Sequence, residues 1–327
     1  MPNFIQRVMH PDWYHGQHKQ PPFFEGWYFK LIDASEQHRY AVIPGIFLSN
    51  DPEKFHAFVQ VLDGLTGAAA YFRYPAEQFI AAENDFDVKI GRNRFRRDGI
   101  RLQLEGDTLA LKGELSFENV MPYPVTWTRP GIMGPFGWLT FMECYHGIVS
   151  LDHSLKGMLT LDNQPMDFSG GRGYIEKDWG ESFPSAWIWT QSNHFAQPGT
   201  CITASIAVIP FKVFKFPGYI VSLWHEQQLY CFATYTGAKL EKLTVTDTTV
   251  DWVLRTRKHR LELLATRAQG GLLHEPNRQE MHRRVEETLR ATIDVRLSEV
   301  NGGRELFSGT GRNAGLEVQG DVGLRLE

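Results

Sequence analysis

The sequence is poor in cysteine and in long apolar runs, and each shortage excludes a class of protein. Its three cysteines, Cys144, Cys201 and Cys231, form no C-x-x-C pair. An odd, scattered set argues against a disulfide framework and a thiolate zinc site, and it suits a reducing compartment. The longest apolar stretches, such as 201–211, are much shorter than the roughly 20 residues of a membrane-spanning helix. Because the N-terminus also has no apolar h-region, we expect a cytoplasmic protein without a secretory signal.

The chain also lacks an excess of charge of one sign and the common nucleotide motifs. Its net charge is −4, from 34 basic and 38 acidic residues, which removes the electrostatic reason to expect a nucleic-acid partner. It contains no G-x-S-x-G elbow and no P-loop, and no helix is expected after the glycine-rich turn at 170–173. The alternating arginines of 92–97 predict a solvated hairpin face, with contact to an anionic membrane surface as the alternative.

Aromatic residues and period-two patterns are what the sequence has in abundance. Trp, Tyr and Phe make up 13% of the chain, and they can form either a core or the lining of an apolar pocket. Alternating runs such as 100–105 and 155–161, separated by Asp-Gly, Asp-Asn and Gly-Gly pairs, predict antiparallel hairpins. Helices are expected only at 75–81 and in the first half of 278–290. The sequence therefore predicts an all-β fold with few short helices.

Two pairs of similar segments predict an internal duplication. The segment FSGGRGYIE at 168–176 resembles FSGTGRNAGLE at 307–317, and a tryptophan-bearing strand, GWYFKLI or AWIWTQS, lies upstream of each. Each interval has the size of one β-barrel that can hold a ligand. We therefore expect two tandem antiparallel β-barrels, one formed by residues 1–182 and the other by residues 183–327.

The densest group of chemically functional residues lies in 173–195 (GYIEKDWGESFPSAWIWTQSNHF). If its beginning is extended, Tyr174, Glu176 and Asp178 share one face, whereas Lys177 lies on the other. Further along, alternation would align four more side chains into an amphipathic wall, namely Trp187, Trp189, Gln191 and Asn193. The alternative interpretation is an edge loop with solvated carboxylates that leads into a tryptophan-rich core strand.

Other acidic and histidine residues offer weaker signals. Glu25 lies two residues before Trp27 in the segment PPFFEGWYFK. A lone glutamate in this position is either a solvent-exposed surface residue or part of a functional site. Near the N-terminus lies a cluster of possible zinc ligands, His10, Asp12, His15 and His18. The favoured interpretation of this cluster is a polar arm, and we expect no metal. The remaining histidines, His146 among them, show no paired spacing, although His194 in the central motif is an alternative proton acceptor.

Three segments together resemble the tocopherol cyclase family: FFEGWYFK at 23–30, the central motif at 173–195 and GTGRNAGLEVQG at 309–320. The resemblance reaches both ends and the middle of the chain. It implies a fold related to lipocalin-like two-barrel proteins such as carotenoid hydratases, which agrees with the predicted duplication. The chain departs from the plant pattern at Asp178, where the plant enzymes carry Asn.

The resemblance implies a cofactor-independent enzyme of the intramolecular lyase or isomerase type. Such an enzyme protonates the alkene of a prenylated hydroquinone, and the phenol oxygen then captures the tertiary cation. Glu176 is the preferred acid because it matches the family pattern, with Asp178 and Glu25 as alternatives. A buried acid alone is a weak proton donor, so Lys177 or Arg172 is expected to stabilise the carboxylate that remains.

The other expected roles are substrate binding and phenol orientation. Aromatic faces would stabilise the cation by roughly 2 kcal/mol each when water is excluded, and the available rings are Trp27, Trp179, Trp187 and Trp189. Tyr174, Gln191 or Asn193 would orient and deprotonate the phenol. The expected partner is a hydrophobic prenylated aromatic, with peripheral membrane contact left open. The rival hypothesis is a lipocalin-like carrier of an apolar isoprenoid or lipid, because the same pocket without a competent acid would only store its ligand.

Overall fold

The computed structural model describes residues 2–106, 109–211 and 214–322. The first half of these residues forms α1 (Phe4–Met9) and the strands β1 (Phe23–Ile32), β2 (Arg39–Leu48), β3 (His56–Asp63), β4 (Ala69–Tyr74), β5 (Phe79–Ala81), β6 (Asp87–Ile90), β7 (Asn93–Arg96), β8 (Gly99–Glu105), β9 (Ala110–Met121), β10 (Cys144–Leu161), β11 (Gln164–Asp167) and β12 (Arg172–Gly180). The second half forms β13 (Trp187–Ser192), β14 (Cys201–Phe211), β15 (Phe214–His225), β16 (Gln228–Ala233), β17 (Lys239–Val245), β18 (Thr249–Arg255), β19 (His259–Thr266), β20 (Gly271–Glu275), β21 (Arg283–Glu299) and β22 (Glu305–Gln319).

The strands form two antiparallel sheets with the same plan. In the first sheet the order is β4-β3-β2-β1-β12-β10-β9-β8-β7-β6-β5, and in the second it is β16-β15-β14-β13-β22-β21-β19-β18-β17. In each sheet the tryptophan-bearing first strand pairs with the last strand, β1 with β12 and β13 with β22. The two similar segment pairs of the sequence therefore mark the pairing of the first and last strands of each sheet, and the predicted all-β, two-barrel fold is confirmed.

Each sheet buries its own apolar core on its inner face. In the first sheet Trp27, Phe29 and Leu31 of β1 share a core cluster with Ile175 of β12. In the second sheet Ile188 of β13 belongs to the equivalent cluster. Strand alternation places these side chains on one face, and burial of each removes apolar area worth roughly 2 kcal/mol from water.

The chain divides into two compact units. Unit 1 runs to Phe183 and also takes Leu272–Arg284, whereas unit 2 takes Pro184–Gly271 and the chain from Val285 onward. The predicted boundary after residue 182 stays a prediction, and no sequence pattern indicates that the later segment Leu272–Arg284 groups with the first unit.

The two expected helices are corrected by the structure. A short 3-10 turn occupies Ala76–Gln78 and is followed directly by β5, because a single proline start does not outweigh strand pairing. The stretch from residue 278 contains no α-helix, and β21 begins at Arg283 and takes in the alternating residues that follow. Among the described residues, no helix is long and apolar enough to cross a membrane.

Candidate active site

Strand β12 carries two clusters of ionisable side chains on its opposite faces. It lies between β1 and β10, so each of its residues has a neighbour on both sides. Lys177 is paired with Trp27 of the core and therefore lies on the inner face, whereas Glu176 and Asp178 lie on the outer face. The predicted alternation of this motif is confirmed, and it separates Lys177 from the two carboxylates that flank it in sequence.

The inner cluster is a fully buried ion pair between Lys177 and Glu25. The Lys177 ammonium donates to Glu25 Oε1, to the carbonyl oxygen of Trp13 at 2.5 Å and to His15 Nδ1 at 3.1 Å. An ammonium has three N–H donors, so all of them are satisfied here. Nζ also lies 4.8 Å from the ring centroid of Trp27 and 4.6 Å from that of Trp179. Two aromatic faces and three acceptors thus hold one cation.

The electrostatics of the inner cluster favour a charged pair. Burial alone would raise the pKa of Glu25, but Lys177 and His15 outweigh it and the net shift is downward. The backbone N–H of His15 donates to both carboxylate oxygens, at 2.9 and 3.1 Å. Burial lowers the pKa of Lys177, and the nearby Glu25 carboxylate opposes that shift. Because Nζ is surrounded by hydrogen-bond acceptors, we interpret the Lys177 amine as an ammonium. Glu25 is therefore an ionised anchor for the arm that contains Trp13 and His15.

The outer cluster contains Tyr174, Glu176, Asp178 and His146. The Tyr174 hydroxyl donates to Glu176 Oε2 at 2.5 Å. The imidazole of His146 lies between the two carboxylates, with Nδ1 2.9 Å from Asp178 Oδ1 and Nε2 3.7 Å from Glu176 Oε2. Glu176 and Tyr174 are buried, at 4% and 0% exposure. Glu176 and Tyr174 are thus shielded from water, whereas the side chains of His146 and Asp178 are 13% and 28% exposed.

The carboxylates on either side of His146 favour the charged form of its imidazole. Burial lowers its pKa, but the Asp178 and Glu176 carboxylates more than compensate and raise the pKa of His146 to about 9. Its Nδ1–H is used by Asp178, whereas Nε2 has no hydrogen-bond partner among the described residues. A buried ring nitrogen without a hydrogen-bond partner costs free energy, and this one faces Glu176 Oε2 at 3.7 Å.

Strand register brings His146 to the carboxylates, and the sequence analysis missed it. His146 is the direct cross-strand partner of Asp178, and Ile148 is that of Glu176. The pairing ends at Gly180, where an added Cβ would lie 2.2 Å from the Glu143 carbonyl oxygen, so only glycine fits. The separate strand β11 and two register shifts in β10 intervene between the partners, so no count along the sequence could align them.

The expected cationic neighbours of Glu176 lie elsewhere. Lys177 faces the inner cluster, and Arg172 forms a two-point ion pair with Asp152 at 2.6 and 3.1 Å. The expectation that one of them supports the acid is therefore wrong, because alternation sends Lys177 inward and Asp152 takes the guanidinium. His146 and Tyr174 are the side chains that contact Glu176 instead.

The expected aromatic and polar binding residues are divided between the units. Trp27 and Trp179 lie in unit 1, where their rings flank Lys177. The residues expected to form the amphipathic wall lie in unit 2, where all of them are buried: Trp187, Trp189, Gln191 and Asn193. Trp187 Nε1 donates to Glu317 Oε2 at 2.6 Å, and Gln191 Nε2 lies 3.6 Å from Cys201 Sγ. Asn193 Oδ1 lies 2.9 Å from His194 Nδ1.

A cavity of about 410 Å³ lies within unit 1 next to the outer cluster. Its lining includes His146 and a stack of three rings, in which His15 and Tyr145 lie parallel to Trp179 at centroid distances of 4.4 and 5.4 Å. Much of the remaining lining comes from α1 and from residues 130–142. The lining of the cavity is thus mainly apolar and aromatic, and the cavity reaches the outer cluster through His146.

Three residues of the outer cluster also have metal-ligand geometry. Ligand atoms of His146, Glu176 and Asp178 lie within 4.8 Å of one another. A metal ion would require neutral imidazole, whereas the pKa of His146 is raised to about 9, so the proton competes with the metal. The N-terminal candidates do not gather into one site, since His15 contacts Lys177 and Asp12 pairs with Arg97.

Comparison with known proteins agrees with the fold and the motif. The family model described as "Tocopherol cyclase-like" matches residues 110–320. The chain is 26% identical over 153 residues to the chloroplastic tocopherol cyclase of Zea mays, a match that covers 41% of this chain and 30% of that protein. It is 28% identical over 109 residues to the probable chloroplastic tocopherol cyclase of Oryza sativa subsp. japonica, covering 31% of this chain and 23% of that protein. The matched region thus spans less than a third of either relative.

Solved structures with the same fold cover nearly the whole chain. The crystal structure of CghA with Sch210972 has a TM-score of 0.58 at 12% identity and covers 93% of this chain and 90% of that chain. Kievitone hydratase from Nectria haematococca has a TM-score of 0.52 at 12% identity, with coverage of 95% and 94%. Because the family model matches most of the chain, from β9 to the end of β22, the protein belongs to the tocopherol cyclase-like family.

Proposed function

We propose that the protein is a cofactor-independent enzyme that closes a ring on a prenylated hydroquinone, with Glu176 as the proton donor. The proposal depends on one observation, namely that the buried Glu176 carboxyl accepts from Tyr174 and lies 3.7 Å from the His146 imidazole. Family membership and the apolar cavity support it. The ring-closing reaction itself is named for the plant relatives and is carried to this chain as a proposal.

The surroundings of Glu176 meet the main difficulty of alkene protonation. An alkene is a poor base, so the acid must leave behind a well-stabilised carboxylate. When Glu176 gives up its proton, the carboxylate is held by the Tyr174 hydroxyl and by the positive charge of His146. Asp178 keeps that imidazole charged through Nδ1. The donor and its support thus come from one cluster, in which Glu176 and Tyr174 are buried.

The proposed ring closure is an isomerisation, in which the substrate neither gains nor loses atoms or electrons. The Glu176 proton adds to the less substituted alkene carbon, and a tertiary cation forms at the neighbouring carbon. The phenol oxygen attacks this cation, a C–O bond forms, and the phenolic proton returns to Glu176 directly or through Tyr174. No oxidant or reductant is consumed, so substrate and product have equal mass. The roles of Trp187, Trp189, Gln191 and Asn193 in substrate binding stay a prediction, since these residues lie in unit 2 and do not line the cavity of unit 1.

Glu25 is the less suitable acid. Its carboxylate is ionised by Lys177 and accepts two hydrogen bonds from the backbone N–H of His15, so it has no proton to donate. Asp178 is assigned the supporting role, because it binds His146 directly. These assignments leave Glu176 as the acid, with Tyr174 as its hydrogen-bond donor and the route for proton return.

Incubation with a prenylated hydroquinone in D₂O tests the proposal. We expect a product that has the mass of the substrate plus one carbon-bound deuterium and a different retention time. A product heavier by one water would indicate that water captures the cation, the chemistry named for the kievitone hydratase neighbour. Recovery of unchanged, bound substrate after prolonged incubation would contradict the enzyme and favour the carrier of an apolar ligand.

A further inference from the structure

Several large apolar side chains are exposed together on unit 1, beside the cavity. Phe4 and Ile5 of α1 are 50% and 46% exposed, and Trp127 is 65% exposed. The Trp138 ring links them, with its centroid 6.2 Å from Phe4 and 5.8 Å from Trp127, on which it stacks. We call Phe4, Ile5, Trp127 and Trp138 the aromatic patch. Its members come from two distant segments, so the patch is built by the fold.

The helix in this patch, α1, exposes apolar side chains that a helix packed on a core would bury. None of the six residues of α1 is buried, although the helix is fixed by a capping box between Asn3 and Gln6. A surface helix normally turns its apolar residues inward. A short helix that is held in place and presents Phe and Ile outward, beside two tryptophans, is typical of a segment that lies in a membrane interface.

The charges around the patch are complementary to an anionic surface. The segments 2–20 and 122–142 contain the basic residues Arg7, Lys19 and Arg129 and a single acidic residue, Asp12. Asp12 is 9% exposed and pairs with Arg97. By contrast, three of the four arginines of 92–97, for which membrane contact was the alternative interpretation, form ion pairs: Arg94 with Asp87, Arg96 with Asp98 and Arg97 with Asp12.

The patch also adjoins the cavity. Phe4 and Arg7 of α1 line the cavity, as do Gly137 and Leu139 on either side of Trp138. We propose that the aromatic patch docks unit 1 on a lipid bilayer with anionic headgroups and opens the cavity toward the acyl chains. This proposal concerns where the protein binds and does not depend on the chemistry at Glu176.

Vesicle flotation tests the docking surface. The full chain is mixed with vesicles of phosphatidylcholine, with or without phosphatidylglycerol. We expect it to float with the anionic vesicles. The double variant Ile5→Gln/Trp127→Gln should partition at least about tenfold less, because it removes two large apolar side chains that would leave water for the bilayer. The matched control is Ile80→Gln, since Ile80 is 61% exposed in the same unit but outside the patch.

Two further measurements make the outcome decisive. Arg7→Gln/Lys19→Gln should weaken binding to anionic vesicles by roughly fivefold per residue and leave binding to neutral vesicles unchanged. The proposal is overturned if the wild-type chain floats with neither vesicle, or if the Ile5→Gln/Trp127→Gln variant floats as well as wild type. It is also overturned if that variant converts a dimer to a monomer in sedimentation without changing flotation, because the patch would then cover a second copy.

Discussion

The two faces of β12 hold clusters of similar composition that differ in how completely their polar groups are satisfied. On the inner face, every N–H of Lys177 has an acceptor, and both Glu25 oxygens accept hydrogen bonds. On the outer face, His146 Nε2 has no hydrogen-bond partner within the described parts of the chain. A completed network fixes structure, whereas an incomplete one can still take up or release a proton. We therefore interpret the inner cluster as structural and the outer one as chemical.

The largest expected effect is a loss of enzymatic activity when the outer cluster is changed at Glu176. Glu176→Gln removes the transferable proton but keeps the size and the Tyr174 hydrogen bond, so we expect turnover to fall by about 10⁴-fold, to below detection. The melting temperature and ligand affinity should stay close to those of wild type. Initial rates of ring closure and calorimetry measure these effects. Glu118→Gln is the control, since Glu118 lies exposed in the same sheet.

The next effect concerns stability on the inner face. Lys177→Met leaves the Glu25 carboxylate buried without its cation, and we expect the free energy of unfolding to fall by about 3–5 kcal/mol. Adding Glu25→Gln to that variant should restore much of the loss, because the buried charge is then gone. Urea unfolding of the two single variants and the double variant measures the coupling. Losses that simply add would contradict the ion pair.

The smallest effect is a pH dependence of the outer cluster. The pKa of His146 rises from 6.5 to about 9 on folding, so the folded chain binds this proton more tightly than the unfolded chain. The stabilisation, at most about 3 kcal/mol, is therefore fully present below pH 6.5 and is lost as the pH rises to about 9. Unfolding free energies measured across this range should decline for wild type.

A control variant isolates His146 in that experiment. His146→Asn cannot take up the proton, so its unfolding free energy should lack this decline. Activity of the wild type should fall over the same upper range, because the imidazolium that supports the Glu176 carboxylate is lost. An unchanged pH profile in His146→Asn would assign the titration to another group.

Much of the strand-level prediction holds because it depends on local pattern. The turn at Asp162-Asn163 has φ values of 48° and 68°, the left-handed conformation that a tight hairpin needs. The alternation of Tyr174, Glu176 and Asp178 also follows from period two alone. The helix expected before β21 failed, because strand pairing with β22 and β19 outweighs a local helical tendency.

The site was only half accessible from the sequence. Glu176 and Tyr174 lie on one strand, so their common face could be predicted. His146 belongs to another strand, and the register shifts of β10 prevent its alignment from being counted. Lys177 lies one residue from Glu176 in sequence, but its side chain is directed to the opposite face.

By itself the sequence determined the all-β class, the duplication and the face on which each residue of β12 lies, because these depend on alternation and on turn residues close in the chain. Only the tertiary structure decided which charges meet. Glu25 meets Lys177, and Glu176 meets His146, through pairings between strands that are far apart in sequence. Such pairings depend on register, bulges and the packing of the whole sheet, and no local pattern encodes them.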